Sequence, residues 1–336
     1  MSRRGYGRDE HEGFGRPPRR TRPRTKDRPD YSAAEVALVI TVDRGRYSVV
    51  LEDGESPHRV LATKARQLGR KGVIVGDRVR VVGDTSGEEG TLARIVEVVE
   101  RDTVLRRTAD DDDPFERPIV ANADQLAIVT ALADPPPRMG MIDRILVAGF
   151  DAGLQPLLVL TKADLASPEG LLASYAGLDV DAVVVEPGAD LSRLRVLLAG
   201  HRTVFVGHSG VGKSTLVNAL IPVAHRAIGH VNEVTGRGRH TSTSAIALEL
   251  PEPGGWVIDT PGVRSFGLSH VTTESILAAF DDLAELTASC PRGCGHDSTA
   301  PECALDEAVA AGRLRPERLE SFRRMEKVWT SPASWE

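Results

Sequence analysis

A glycine-rich stretch near the middle of the chain has the spacing of a phosphate-binding loop. It reads GHSGVGKS and matches G-x-x-x-x-G-K-[ST] at every position. The apolar run TVFV precedes it and a helical pattern follows, so backbone N–H groups and a helix N-terminus would face one anion. Lys213 would reach the β- and γ-phosphates, and Ser214 would offer its hydroxyl to Mg²⁺. The residues predicted to hold the phosphates are Gly207, His208, Ser209, Gly210, Val211, Gly212, Lys213, Ser214 and Thr215.

Two stretches downstream would complete the phosphate and magnesium chemistry. DTPG, at 259–262, follows another apolar run, so Asp259 is predicted beside the Mg²⁺ ion and the Gly262 N–H close to the γ-phosphate. Between them, GRGRHTST at 236–243 is glycine-rich, basic and rich in hydroxyls, as in a switch loop. Thr241 is the predicted magnesium ligand of that loop, with Ser242 and Thr243 as alternatives. An ordinary surface loop is the simpler interpretation.

A third motif predicts which base is bound. Thr161, Lys162, Ala163 and Asp164 follow the apolar run QPLLVL and are similar to the guanine motif N-K-x-D, with Thr161 in place of Asn. The Asp164 carboxylate could accept hydrogen bonds from both N1–H and the exocyclic amine of guanine, a donor pair that adenine lacks. The motif precedes the phosphate loop by more than forty residues, the reverse of the order in small GTPases. We therefore predict a circularly permuted GTPase domain that binds GTP and GDP.

The three cysteines of the chain form one cluster with a histidine. Cys290, Cys294, His296 and Cys303 give the pattern C-x3-C-x-H-x6-C. Three thiolates and one imidazole make a closed tetrahedral set typical of structural zinc, with no open position for a substrate. The sequence therefore predicts one Zn²⁺ that stabilises the fold. Three unrelated buried cysteines are the alternative.

The segments around these motifs predict three folded parts behind a basic arm. Short strands at 36–41, 46–51, 58–63, 78–82 and 92–99, separated by glycine turns, favour an OB-fold β-barrel, with an SH3-like barrel nearly as good. Residues 101–120 have the composition of a linker. Beyond it, apolar strands alternate with helices, which indicates a largely parallel sheet covered on both faces. The predicted strands lie at 125–130, 155–160, 182–185, 203–206, 245–250 and 255–258, and the helices at 141–153, 191–198 and 212–221.

We place the parts at 1–32 (disordered basic arm), 33–100 (OB-fold barrel), 101–272 (permuted α/β P-loop GTPase domain) and 273–336 (helical zinc-binding domain). The arm has ten Lys or Arg against five acids in its first thirty residues, although the whole chain carries a net charge of -6. It is predicted to be either a solubilising tail or a contact for nucleic-acid phosphates. The basic residues near the C-terminus also allow two readings, an ion-paired helix face or an RNA-binding one. They are Arg313, Arg315, Arg318, Arg323, Arg324 and Lys327.

Composition excludes several classes of protein. A content of 41% hydrophobic and 27% charged residues fits a soluble globular chain of two or three domains. The sequence has neither an apolar run of the roughly 18 residues that a membrane span needs nor the apolar core of a signal peptide. We therefore expect a cytoplasmic protein without membrane contacts, acting as a monomer.

The combination of barrel, permuted GTPase motifs and zinc pattern resembles the bacterial small ribosomal subunit-dependent GTPases of the RsgA/YjeQ family. Further matching stretches are ANADQ at 121–125, IDR at 142–144, GHSGVGKSTLVN and GRHTST. The resemblance implies a GTPase stimulated by the small ribosomal subunit, which binds 16S-type rRNA through its barrel and zinc domain. It would act late in maturation of that subunit and leave on GTP hydrolysis.

The resemblance also implies a catalytic residue. Val263 stands where other GTPases carry the glutamine that orients water, and the family's candidate replacement matches His240. His240 would then serve catalysis together with Lys213, or else only contact the ribosome.

This chain departs from the family pattern at Thr161, which implies weaker guanine binding or a base loop held differently. It departs again at 185–188, where a Ser-Ala motif would be expected and no residue is assigned. An RNA-binding adapter with a degenerate nucleotide switch is the alternative function, and a P-loop kinase or ATPase is a third.

Overall fold

The structure is a computed structural model. It describes residues 30–52, 58–69, 72–107, 117–222, 245–260, 266, 268 and 270–330. From Ala34 onward, the described residues belong to one compact unit. Within these ranges, every helix is too short or too polar to cross a lipid bilayer.

The first five strands close into a barrel. Around it the order is β1-β2-β3-β5-β4, and β4 returns to pair with β1. All neighbours are antiparallel except β3 and β5, which are parallel. This order is that of the OB-fold, so the OB-fold prediction is confirmed and the SH3-like alternative is wrong. The strands are β1 (Glu35–Asp43), β2 (Arg46–Leu51), β3 (Arg59–Lys64), β4 (Arg78–Gly83) and β5 (Ala93–Val98).

The prediction of a linker over residues 101–120 was wrong in part. Val104–Arg107 (β6) and Arg117–Ala121 (β7) pair as an antiparallel hairpin. Asn122, at the end of β7, has a left-handed backbone with φ of 53°. Its side-chain amide donates to the Gly76 carbonyl at 2.9 Å and accepts from the Asp102 N–H at 2.8 Å. These bonds fasten the hairpin to the barrel, and nothing in the local composition signals such contacts across the chain.

The central sheet is largely parallel, as predicted. Its order is β10-β9-β8-β11-β13-β12, and only β12 runs antiparallel to its neighbour β13. The predicted strands lie within one residue of the observed bounds. They are β8 (Gln125–Ala131), β9 (Gln155–Thr161), β10 (Asp181–Val185), β11 (Arg202–Val206), β12 (Ile246–Glu249) and β13 (Trp256–Asp259).

Helices cover both faces of this sheet. Alternate residues of β8 pack on opposite faces of the sheet. Leu126 and Ile128 belong to one core cluster, and Ala127 and Val129 belong to another. The first cluster includes α1 and α2, and the second includes α3 and α4. The helices are α1 (Met139–Asp151), α2 (Glu169–Tyr175), α3 (Ser192–Leu198) and α4 (Lys213–Leu220), and a 3-10 turn at Ala176–Leu178 follows α2.

Strand β1 joins the barrel to the central sheet. Ala37 and Val39 point into the barrel core, whereas Leu38 and Ile40 pack in the cluster that also contains α1. At its end, Thr41 pairs with Ile246 of β12, so barrel and central sheet form one continuous eleven-stranded sheet. A strand buried on both faces therefore fixes the barrel against the GTPase domain.

The C-terminal region is helical, with α5 (Thr273–Leu277), α6 (Asp281–Thr287), α7 (Ala304–Ala310) and α8 (Pro316–Thr330). Helix α8 packs on α1 and on the turn after α2 through Phe322 and Met325, both buried. Arg318 donates to Asp282 and to the Gly177 carbonyl, and its guanidinium lies over the Phe280 ring at 4.5 Å. Arg315, Arg323 and Arg324 also make ion pairs within the chain. For these four arginines the ion-paired reading of the helix is confirmed.

Candidate nucleotide site and metal cluster

The phosphate-loop motif lies where β11 ends and α4 begins. Parallel strands end at one edge of the sheet, so this loop meets the ends of β13 and β9 there. Gly207 has no room for a side chain, because a Cβ would lie 2.4 Å from the Val129 carbonyl oxygen. Gly212 caps α4 with φ of 90°, in the left-handed region that favours glycine. Both glycines are thus required by the geometry of the loop.

Lys213 and Asp259 meet at this edge. The Lys213 ammonium donates to Asp259 Oδ1, and the side chains are only 11% and 16% exposed. Behind them, the Thr260 hydroxyl donates to the Phe205 carbonyl at 2.8 Å and ties the end of β13 to β11. Ser214, one residue into α4, is exposed. The structure therefore brings Lys213 and Ser214 to the same edge of the sheet as Asp259, as predicted for residues that handle phosphate and magnesium.

The predicted guanine motif lies beside the phosphate loop. Thr161 is buried, and its hydroxyl donates to the Val211 carbonyl at 2.5 Å, across 50 positions of sequence. Lys162 has φ of 56°, and its ammonium donates to the Asp134 carbonyl. Asp164 is exposed at the rim. Thr161 thus holds the base loop, residues 161–164, against the phosphate loop, although Thr161 stands in place of the Asn of the guanine motif.

Three predicted site residues, His240, Thr241 and Gly262, lie outside the described residues, and so does the basic arm up to residue 29. Their roles stay predictions.

The predicted metal ligands converge. One ligand atom from each of Cys290, Cys294, His296 and Cys303 lies within 4.8 Å of the others. His296 Nδ1 is 3.5 Å from Cys290 Sγ and 3.8 Å from Cys303 Sγ. Burial raises the pKa of the Cys303 thiol to about 11, and the neighbouring Cys294 and Cys290 add to the rise. Burial also lowers the pKa of His296, which favours the neutral imidazole that coordinates metals. Crowded soft ligands of this kind suit one metal ion.

Arg323 holds the metal cluster on α8. Its guanidinium donates to the carbonyls of His296 at 2.9 Å and Asp297 at 3.1 Å. It also makes two bonds to the Asp306 carboxylate, at 2.8 and 2.7 Å. Sequence reasoning noted Arg323 only as one of several basic residues. Its partners lie 17 to 27 positions away, and no local pattern predicts them.

Asp134 is a second residue that sequence reasoning missed. It has φ of 46° and places its carbonyl on Lys162. The signal that could have found it is the run Asp134-Pro135-Pro136 directly after the apolar strand β8, at the same edge of the sheet.

The chain resembles one family of known proteins. Residues 98–269, just over half of the chain, match the family model described as RsgA GTPase. A protein of Pseudomonas putida named small ribosomal subunit biogenesis GTPase RsgA is 38% identical over 303 residues, covering 88% of this chain and 85% of that protein. The protein of the same name from Pseudomonas aeruginosa is 40% identical over 260 residues, covering 75% of this chain and 74% of that protein.

Two crystal structures share the fold. YjeQ from Thermotoga maritima superposes with a TM-score of 0.65 at 26% identity, covering 88% of this chain and 99% of that one. YloQ, described as a circularly permuted GTPase, superposes with a TM-score of 0.63 at 24% identity, covering 90% of this chain and 98% of that one.

Proposed function

The chain belongs to the RsgA GTPase family, whose members are GTP hydrolases, and we propose that it hydrolyses GTP on the small ribosomal subunit during biogenesis of that subunit. The observation that carries the proposal is the meeting of Lys213, Asp259 and the Thr161–Asp164 motif at one edge of the sheet. That edge would supply a phosphate site and a base site to one nucleotide.

Each residue of the proposed phosphate site has a separate task. The loop from Gly207 to Gly212 would offer backbone N–H groups to the phosphates, and the N-terminus of α4 adds its positive dipole end. When a nucleotide binds, the Lys213 ammonium would move from Asp259 to the β- and γ-phosphates and neutralise their charge. The Ser214 hydroxyl and the Asp259 carboxylate are oxygen ligands of the kind that Mg²⁺ prefers, and they begin α4 and end β13. When bound, Mg²⁺ would neutralise charge that develops on the phosphates.

The proposed base site depends on Asp164 and on the bonds that hold its loop. Thr161 fixes the loop to Val211, and Lys162 is fixed to Asp134, so Asp164 projects from a loop tied at two points. Its exposed carboxylate would accept the two donors of guanine. Thr215, Ala163 and Gly262 are proposed to complete the nucleotide site, and Thr241 to bind Mg²⁺. His240 is proposed to orient the attacking water.

We propose Zn²⁺ as the ion of the Cys290, Cys294, His296 and Cys303 cluster, because three thiolates with one imidazole form the closed tetrahedral set of structural zinc. The ion would tie the turn after α6 to the start of α7. It would stabilise this region and take no part in the hydrolysis of GTP.

We propose that the barrel contacts 16S-type rRNA. Arg46 of β2 and Arg94 of β5 flank Thr63 across three adjacent strands, and both arginines are exposed. Such a row can bind phosphates in sequence-independent fashion. The relatives are named for biogenesis of the small ribosomal subunit, and we propose that this chain acts on that subunit in the cytoplasm, as a monomer.

The nucleotide specificity can be tested by exchanging the base acceptor. The wild-type chain should hydrolyse GTP and leave ATP and XTP essentially unused. In Asp164→Asn, the side-chain amide can donate to the extra carbonyl of xanthine, so XTP should replace GTP as the preferred substrate. Equal use of ATP and GTP by the wild type, or unchanged GTP preference in Asp164→Asn, would contradict the proposed base site.

A further inference from the structure

Helix α1 carries two adjacent charged residues that the proposed chemistry leaves without a role. They are Asp143 and Arg144 of the IDR stretch, and they follow Ile142, which is buried in the core. Adjacent residues of an α-helix point about 100° apart, so the two side chains contact different neighbours. Each neighbour belongs to a different part of the molecule.

Asp143 contacts the C-terminal helix. Its side chain is only 5% exposed, and Arg324 Nε of α8 lies 3.2 Å from its Oδ2. The Arg324 guanidinium also lies over the Tyr175 ring of α2 at 5.0 Å. Arg324 further donates to the Ser174 carbonyl at 3.1 Å. A buried carboxylate with these partners fixes how α1 and α8 dock, because loss of one partner leaves a buried charge uncompensated.

Arg144 contacts the chain that follows the phosphate site. Its guanidinium donates to the Phe266 carbonyl at 3.1 Å, six positions after Thr260. The Phe266 side chain is buried in the core cluster of α1. Seven positions after Arg144, and hence on the same helix face, the Asp151 carboxylate meets His270 Nε2 at 2.8 Å. Helix α1 therefore holds the chain after Asp259 at two points.

We infer that Arg144 and Asp143 are positioning residues for GTP hydrolysis, with Arg144 aligning the chain that follows Asp259 and Asp143 fixing α1 against α8. The inference rests on the proposed function. Because the two residues are adjacent on one rigid helix, a rotation of α1 that weakens the Asp143–Arg324 contact also moves Arg144 away from Phe266. The position of the C-terminal helix thereby bears on the alignment of the phosphate site.

The first test replaces Arg144 in the full chain. Arg144→Gln should lower kcat for intrinsic GTP hydrolysis roughly ten-fold, because small misplacements at a reacting centre reduce the rate strongly. The dissociation constant of a fluorescent GDP analogue should change less than about two-fold, since the Phe266 contact lies outside the loop that holds the diphosphate. The glutamine amide is a donor but ends two atoms short of the arginine Nη, whereas the lysine ammonium ends one atom short, so Arg144→Lys should recover part of kcat. If Arg144→Gln does not fold, Arg144→Lys must still show a reduced kcat with unchanged GDP binding.

A matched control comes from the barrel. Arg80 Nη1 donates to the Ala34 carbonyl at 3.1 Å, the same bond as that of Arg144 but remote from the nucleotide site. Arg80→Gln should keep kcat within about two-fold of wild type. Equal kcat losses in Arg80→Gln and Arg144→Gln would overturn the inference, because they would indicate a general effect of destabilisation.

The second test measures coupling between Asp143 and Arg324. Asp143→Asn and Arg324→Gln should each lower kcat, and the double variant should be no worse than the worse single variant. Additive effects on kcat would overturn the role of this pair. A lower melting temperature with unchanged kcat in all variants would also overturn it.

The inference and the proposed function fail in different ways. Absence of GTP turnover in the wild type would overturn both. An active wild type with an equally active Arg144→Gln would overturn the inference alone.

Discussion

The nucleotide site and the metal cluster are built in opposite ways. The phosphate loop and Asp259 lie at the ends of the adjacent parallel strands β11 and β13, between two core clusters. The metal ligands lie in turns between α6 and α7, two helices of seven residues each. Helices this short are not stable alone, because formation of the first turn is costly and few residues follow it. At the nucleotide site, hydrogen bonds between paired strands provide much of the stability. In the metal cluster, the four ligands and Arg323 must provide it instead.

Substitutions in the two sites should therefore have different consequences. A change in the nucleotide site should remove chemistry and leave the fold, since the strands that carry its loops are paired by backbone hydrogen bonds. A change in the metal cluster should remove structure, since side chains hold the turns. Four substitutions separate these two kinds of failure, and the first should have the strongest effect.

Lys213→Ala should abolish measurable GTP hydrolysis with little effect on the fold. The ammonium neutralises phosphate charge, and loss of such a group costs on the order of 10³-fold or more in rate. GTP turnover and thermal unfolding of the same preparation give both quantities. Near wild-type turnover, or unfolding of the central sheet, would break the comparison at its first point.

Cys294→Ser should release the metal and unfold the region around 290–310, while GDP affinity stays within about three-fold. Metal content, hydrogen exchange by segment and GDP binding report the three effects. Thr299→Ala is the matched control, because the Thr299 hydroxyl bonds Asp297 within the same turn but Thr299 is not among the predicted ligands. A folded, metal-free variant would show that the zinc interpretation is wrong.

Gly177→Ala should lower the free energy of unfolding by about 1–3 kcal/mol, because it disturbs the contact between the turn after α2 and helix α8. A Cβ at Gly177 would lie 2.3 Å from the Glu317 carbonyl oxygen of α8. Gly170→Ala is the matched control in α2, where a Cβ meets nothing within 4 Å, and it should stabilise by about 0.5–1 kcal/mol. Urea unfolding measures both. Equal effects of the two substitutions would show that α8 does not pack on this turn.

Thr161→Val should weaken GDP binding by about 1 kcal/mol, because the Val211 carbonyl loses its hydroxyl donor in a buried place. Thr161→Ser keeps the hydroxyl and should bind GDP nearly as the wild type does. A fluorescent GDP analogue measures both affinities. Identical affinity of all three proteins would mean that the base loop does not depend on this bond.

The sequence predicted the strand and the helix that flank the phosphate loop better than the regions around them, for a physical reason. Gly207 to Ser214 span one short loop between a strand and the start of a helix. Neighbouring residues therefore determine the geometry of the loop, and a local sequence pattern can predict it. The strands of the central sheet were predicted to within one residue, because burial on both faces leaves apolar runs.

Contacts between distant residues could not be predicted in the same way. The bond from Asn122 to Gly76 spans 46 positions, and the ion pair of Asp143 with Arg324 spans 181. A period of two or 3.6 residues indicates which face is buried but not which partner covers it. The hairpin at β6 and β7 and the function of the arginines on α8 therefore became visible only in three dimensions.

GTP turnover should be measured with purified small ribosomal subunits, with large subunits and ATP as controls. We expect that, of the two subunits, only the small one strongly stimulates turnover of GTP, that ATP is not used, and that Lys213→Ala removes the activity. Turnover unaffected by small subunits, or equal turnover of ATP, would contradict the claim that this chain is a GTPase of small-subunit biogenesis.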